Sequence, residues 1–308
     1  MIEERRWRQL PGEEFFKGGH TLCPGCPGGI LWRLITKVMG PNSITTMGST
    51  CISLPPAVFP SVLDLPSISL SMASPAALIS GVSAALKVLR RKGKRPGNER
   101  TNVFCVAGDG GTADIGFAGL SGAAERNDDG VYFCFDNEAY MNTGIQRSSL
   151  TPEGTWTTST LQGKLQPKKD VPMIMAAHGI PYVATASIGF PDDFIRKAEK
   201  ARDMAGGFRY IHVHSPCPTG WRFPENQMVE IARLAVECGM WRLYEVENGV
   251  WRITHDPEPR RPVAEYLSRQ GRFHHLSPEE RLHIQAVVDR ACGIRDGKGE
   301  EHYTKIKK

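Results

Sequence analysis

The sequence predicts an α/β fold, a mainly parallel sheet with helices on both faces. Three observations carry this. Short apolar runs rich in β-branched and aromatic residues alternate with amphipathic stretches of helical period. The runs are continuously apolar, as strands buried on both faces are. One of them ends in a glycine-rich loop, at the edge where such sheets bind ligands.

The strands are predicted at 43–47 ("SITTM"), 102–108 ("NVFCVAG"), 131–137 ("VYFCFDN"), 182–187 ("YVATAS") and 209–214 ("RYIHVH"). Helices are predicted at 27–39, 75–91, 115–125, 170–178, 191–204 and 225–238. Strand 102–108, helix 115–125 and strand 131–137 make a compact βαβ unit. After Met240 the character changes. "WRLYEVENGVWRIT" places aromatic and β-branched runs on either side of "ENG", which predicts a hairpin. A Pro-rich link and two short helices follow. The chain thus divides into an α/β domain over 1–240 and a C-terminal extension over 241–308. The extension is too small for a core of its own and is expected to pack on the domain or on a partner.

Composition narrows the function classes. Of the 308 residues, 40% are hydrophobic and 23% charged, an ordinary balance for a soluble protein. No apolar run approaches the ~18 residues of a membrane span, so no membrane partner is expected. The opening "MIEERRWRQLPGEEFF" has no apolar stretch of the signal-peptide kind, and the chain is expected to be cytoplasmic. The net charge of +5 is scattered. It is dense only in "RRKGKRPGNER" (90–100) and the tail "KIKK", which read as a solvated loop and a loose end. No basic face with interleaved aromatics appears, so no nucleic-acid partner is expected.

Eight cysteines in such a chain do not read as a disulfide framework. Cys105, Cys134, Cys238 and Cys292 lie in apolar strands or near helix ends and read as small buried side chains. Cys23 and Cys26 ("LCPGCPGG"), Cys51 ("GSTCIS") and Cys217 ("SPCPTGW") differ, since Gly, Pro, Ser or Thr flanks each. Four thiolates on turns make a complete ligand set for zinc or for a [4Fe–4S] cluster. The lone CxxC with two distant singletons suits a cluster gripped between loops better than paired zinc knuckles, though zinc and unrelated cysteines stay open. A c-type haem would need His where Pro27 stands. A thioredoxin-like pair would need CxxC to open a helix after a strand, and Pro27-Gly28-Gly29 is a poor helix start.

The stretch "VAGDGGTADIG" carries the other site. Asp109 lies between glycines at the carboxyl end of a strand, and Gly108, Gly110 and Gly111 let backbone approach an anion. GxGxxG is not met, and no Gly-Lys-Ser/Thr follows to make a P-loop. A carboxylate among such glycines points to a diphosphate held through Mg²⁺, which takes hard oxygen ligands. The next strand delivers Asn137 to the same edge as a second oxygen donor.

GDG followed by that Asn is the thiamine-diphosphate motif. The longer string "GDGGTADIG…LSGAAERN…DNEAYMNTGIQRSS", with "GHTLCPGC", "PYVATAS" and "SPCPTGW", resembles the β subunit of the pyruvate:ferredoxin oxidoreductase family from about residue 19 to 270. The resemblance implies a thiamine-diphosphate-binding fold and oxidative decarboxylation of a small 2-oxoacid. It implies that Cys23, Cys26, Cys51 and Cys217 hold a [4Fe–4S] cluster. Asp109, Asn137 and the Ala139 carbonyl would bind Mg²⁺, and Gly110 and Gly111 would meet the diphosphate. Asn142 would reach the substrate's carboxylate or oxo group. The implied partners are an α-like subunit supplying a pyrimidine-binding domain and an activating glutamate, a further subunit with ferredoxin-type clusters, and ferredoxin as acceptor.

The family pattern is broken where Pro27 follows CPGC, and again along "CISLPPAVFPSVLDLPSISLSMASPAAL". Pyruvate is the first expectation for substrate, with oxalate, which needs neither a methyl pocket nor coenzyme A, as runner-up. Longer 2-oxoacids are expected less, since "SPCPTGW" and "NTGIQRSS" match the pyruvate-type branch. A non-redox thiamine decarboxylase or ligase subunit and a zinc-stabilised binding module are the alternatives. His20 reads as an ordinary loop residue ahead of a cofactor contact. His212 and His214 share a strand face and, with no carboxylate pattern nearby, read as structural. Arg147 is left between a partner subunit and an anion.

Overall fold

The structure is a computed structural model that describes residues 6–94, 100–204 and 206–293. The middle of the basic stretch, 95–99, and the tail "KIKK" lie outside the described residues. Its strands are β1 (Ser43–Gly48), β2 (Ser67–Leu70), β3 (Asn102–Gly108), β4 (Gly130–Asp136), β5 (Tyr182–Ser187), β6 (Phe208–His214), β7 (Leu243–Glu247) and β8 (Val250–His255). They form one eight-stranded sheet in the order β2-β1-β3-β4-β6-β5-β7-β8. The first six are parallel, while β7 runs antiparallel to β5 and β8 to β7.

Alternation along each strand sorts side chains between two cores. Phe104, Val106, Val131, Phe133 and Phe135 face one side. Val103, Cys105, Ala107, Tyr132 and Cys134 face the other. Helices α1 (Gly28–Met39), α6 (Pro191–Asp203) and α8 (Met228–Glu237) cover the first face. Helices α3 (Pro75–Arg91), α4 (Phe117–Glu125) and α5 (Val171–Ala177) cover the second. This is the two-sided α/β architecture that continuous apolar strands require.

The predicted strands and long helices appear within a few residues of their expected bounds. One strand was not legible. β2 is exposed along its whole length, so "SISL" shows no buried periodicity. Helix 115–125 begins later, because Gly111–Ile115 forms a π turn before α4. The hairpin forms as read and joins the main sheet through β5. Val263, Tyr266, Leu267 and Phe273 from the following segment are buried in the same core as α1 and α6. That segment carries α9 (Val263–Ser268) and α10 (Pro278–Ala291), and short helices α2 (Leu54–Ala57) and α7 (Pro218–Trp221) complete the set.

Contrary to the reading of Pro27-Gly28-Gly29, α1 opens directly on Gly28. A Cβ at Gly28 would lie 2.4 Å from Ile52 Cγ2, so close packing on the neighbouring turn demands glycine there. The Trp32 indole donates to the Ile52 carbonyl at 2.7 Å, fixing α1 to the turn that carries Cys51. Among the described residues no strand precedes the CxxC, which is not a thioredoxin-like arrangement.

Candidate active site

β1 pairs with β2 on one side and β3 on the other, so the crossovers diverge between β1 and β3. Open parallel sheets bind ligands in that crevice, at the strands' carboxyl ends. Here Thr50 follows β1, and Gly108 ends β3 so close to it that a Cβ would meet Thr50 Oγ1 at 2.7 Å. The crevice is lined by Thr50, Cys51, Gly108, Asp109, Asn137 and Asn142, among others. A larger cleft of about 1070 Å³ opens at the start of α6 near Arg6, Arg196 and His255, and none of the predicted site residues lines it.

Asp109 is buried, 3% exposed. Ser148 donates to its Oδ2 at 2.5 Å. Burial, then the charge of Asp136, pushes its carboxyl well above the usual range. No lysine, arginine or histidine among the described residues forms an ion pair with it. Asp136 is treated differently. Burial opposes its charge, but Lys168 at 2.7 Å and His212 at 2.8 Å hold its pKa low. Of these two carboxylates, Asp109 is the one with no cationic side chain paired to it.

The Asn137 amide turns one terminal atom to within 3.0 Å of the Ala139 carbonyl oxygen and 3.1 Å of Asp109 Oδ1. With nitrogen inward, it donates to both. With oxygen inward, as the amide stands, three oxygens converge with no donor between them. That is the donor set of a hard divalent cation, and the predicted trio fits one. Only one of the three is a charged side chain, so the trio is not a cluster of His, Cys, Asp or Glu, and no such cluster tight enough for a single ion occurs among the described residues.

Gly110 and Gly111 provide the approach to an anion. A Cβ at Gly110 would sit 2.2 Å from the Tyr140 ring, and one at Gly111 would sit 3.0 Å from the Met72 carbonyl oxygen. Only glycine fits. Asn142 is exposed at the mouth of the same crevice.

Cys23, Cys26, Cys51 and Cys217 come together from turns. Cys26 N–H donates to the Cys23 carbonyl, Cys51 opens a 3₁₀ turn, and Cys217 caps α7. All are free thiols. Burial first, then Cys217 and Cys23, pushes the Cys26 thiol up to about 12. Burial, then Cys217, Cys26, Asp109 and Cys23, does the same to Cys51, also to about 12. Each therefore lies within electrostatic reach of the others, and Cys51 within reach of Asp109. Backbone N–H groups of Gly28 and Gly220 point at Cys26 Sγ and Cys217 Sγ, each at 3.4 Å. Polar backbone aimed at sulfur suits a thiolate ligand set.

A family model described as the C-terminal TPP-binding domain of thiamine pyrophosphate enzymes matches residues 38–213. The chain is 48% identical over 290 residues to the pyruvate synthase subunit PorB of Methanothermobacter marburgensis, covering 92% of this chain and 98% of that one. The chain belongs to the β subunits of the 2-oxoacid:ferredoxin oxidoreductases. A ketoisovalerate oxidoreductase subunit VorB of Pyrococcus furiosus is 45% identical over 288 residues, covering 91% of each. A 2-oxoglutarate:ferredoxin oxidoreductase from Magnetococcus marinus shares the fold, with a TM-score of 0.55 at 18% identity, covering 100% of this chain and 97% of that one. The β subunit is accordingly part of a thiamine-diphosphate-dependent oxidoreductase, and no helix among its described residues is long and apolar enough to cross a membrane.

Several residues of this β subunit's site went unread in the sequence. Ser148, Tyr140 and Trp221 lay inside quoted motifs without a role. Lys168 and Arg272 lay in unremarkable surroundings, yet each forms an ion pair with Glu138 at 2.7 Å. His212 does have a carboxylate partner, contrary to expectation, because β4 brings Asp136 beside β6. His20 stacks on Phe16 with centroids 5.3 Å apart and does not line the crevice. Arg147 is exposed.

Proposed function

We propose that the β subunit holds thiamine diphosphate through Mg²⁺ and, with an α-like subunit, oxidatively decarboxylates pyruvate, passing electrons through its own [4Fe–4S] cluster toward ferredoxin. The observation that carries this is the convergence of Asp109, Asn137 and Ala139 oxygens within electrostatic reach of Cys51. Asp109 Oδ1, Asn137 Oδ1 and the Ala139 carbonyl bind the magnesium ion, and Ser148 orients the carboxylate. Gly110 and Gly111 admit the diphosphate to bare backbone. Asn142, at the mouth, orients the 2-oxoacid's carboxylate or oxo group. Cys23, Cys26, Cys51 and Cys217 grip the cluster. When bound, the thiazolium supplies the electron sink for loss of carbon dioxide and the cluster accepts electrons singly.

The lone CxxC with two distant singletons favours a cluster gripped between loops over paired zinc knuckles.

Exposed apolar surface beside the crevice supports the missing subunit. Leu70, which accepts from Ser49, is 53% exposed, and Ile115 at the end of the π turn is 61% exposed. β2 is an open sheet edge. Such surface marks a protein interface. On this reading the partner contributes the pyrimidine-binding domain and glutamate, and a further subunit carries the ferredoxin-type clusters. The setting of such a complex is the cytoplasm.

The relatives named for pyruvate and for ketoisovalerate are nearly equidistant from this chain, so substrate needs assay. The anaerobically purified complex is expected to reduce ferredoxin fastest with pyruvate plus coenzyme A. Faster reduction with 2-oxoisovalerate plus coenzyme A, or with oxalate alone, would overturn the substrate assignment. Turnover by the β subunit alone would overturn the shared site.

A further inference from the structure

Glu138, between Asn137 and Ala139, two of the three residues that face the proposed magnesium ion, has a left-handed backbone with φ of 65°. A glutamate does not adopt this region without being held there. Its N–H, its carbonyl and one carboxylate oxygen are hydrogen-bonded, and the other carboxylate oxygen is held by charge alone. Its N–H donates to Asp136 Oδ1 at 3.0 Å and its carbonyl accepts from Thr151 Oγ1 at 2.6 Å. Its carboxylate lies 2.7 Å from Lys168 and 2.7 Å from Arg272.

Arg272 is 1% exposed and comes from the turn after α9, beyond the segment matched by the thiamine-enzyme family model. Its guanidinium lies 3.6 Å from the Trp221 ring centre. The Trp221 indole donates to the Asn137 carbonyl at 2.8 Å, and Trp221 N–H donates to the Cys217 carbonyl at 2.9 Å. The contacts close a ring: Asn137, Glu138, Arg272, Trp221 and back to Asn137. The ring also holds the turn of Cys217. A buried ion pair adds little net stability, whereas it can impose one geometry.

We infer that Glu138 and Arg272 are positioning residues that hold the left-handed bend and so aim the Asn137 and Ala139 oxygens at the cation of the diphosphate. This rests on the magnesium reading above. The test uses the intact complex carrying the parent chain, Glu138→Gln or Arg272→Lys. Thiamine diphosphate binding is followed by quenching of tryptophan fluorescence as Mg²⁺ is titrated, alongside kcat at saturating Mg²⁺ and the unfolding midpoint of the cofactor-free protein. Glu138→Gln is expected to raise half-saturating Mg²⁺ about tenfold or more with kcat at saturation largely kept. Arg272→Lys keeps the charge but loses the flat stack, and is expected to give an intermediate shift. It carries the test alone where Glu138→Gln fails to assemble. A merely structural role would lower the unfolding midpoint and leave half-saturation in place. Parental half-saturation in the assembled variants overturns the inference while leaving the magnesium reading standing. A parent that binds thiamine diphosphate without any need for Mg²⁺ overturns both.

Discussion

Ser148 and Asp109, 39 residues apart, meet at the buried end of β3, where the serine hydroxyl donates to the carboxylate at 2.5 Å. Once cation binding ionises the carboxylate, a charge-assisted bond of this kind contributes about 1.5–3 kcal/mol. Ser148→Ala removes the donor but not the carboxylate. Half-saturating Mg²⁺ for thiamine diphosphate binding by the complex is expected to rise about tenfold. An unchanged Mg²⁺ titration would show that Ser148 does not orient the ligand.

Asp109 also predicts a proton. Its folded pKa is raised, so its protonated form favours folding at low pH, and that contribution is lost as pH rises through the folded value. Cation binding needs the carboxylate, so Mg²⁺ entry displaces the proton at any pH below the raised value. Calorimetric titrations in two buffers of different ionisation enthalpy should differ by up to about one proton per site. Equal heats would sink the idea.

Gly110 is the tightest point of the cradle. Gly110→Ala places a methyl 2.2 Å from Tyr140 Cε1, and the complex is expected to purify without thiamine diphosphate. Gly81→Ala is the control. It lies in α3 with nothing within 4 Å of the added methyl, and should stabilise by roughly 0.5–1 kcal/mol with cofactor retained.

Cys51 lies between the two proposed sites. Cys51→Ala is expected to lower iron content and the broad absorption near 400 nm, while thiamine diphosphate stays bound. Cys105→Ala, in the core of β3, should leave iron unchanged. Iron retained in Cys51→Ala, or zinc found instead of iron in the parent, would contradict the cluster assignment.

His214 gives a stability signature. Burial pushes its pKa down to about 4 from 6.5, so the unfolded chain binds more protons between those values. Stability therefore falls as pH drops through that window. The full effect is about 3 kcal/mol. The ring lies between Trp221 and Trp241, and its Nδ1 has no hydrogen-bond partner. His214→Phe should flatten the loss of unfolding midpoint between pH 6.5 and 4. A parental pH profile in that variant would exclude His214 as the source.

Legibility followed the range of the interactions. β3 and β4 could be read because five or more successive residues are buried on both faces. β2 could not, since pairing with β1 alone makes it a strand. Asp109 and Asn137 could be read because each follows a strand directly. Glu138 sat in plain view beside Asn137, yet its partner Arg272 lies in a turn with no motif, and nothing local announces an ion pair across that separation.

The chain's local chemistry determined by itself which segments become strands and helices, which glycines can face an anion, and which cysteines sit on turns. These depend on neighbours within a few residues. Tertiary structure alone decided that Cys51 comes within electrostatic reach of Asp109, that Asp136 is neutralised while Asp109 is not, and that the C-terminal segment braces the bend at Glu138. Burial and charge pairing depend on which distant side chains the sheet order brings together, and no short stretch of sequence carries that order.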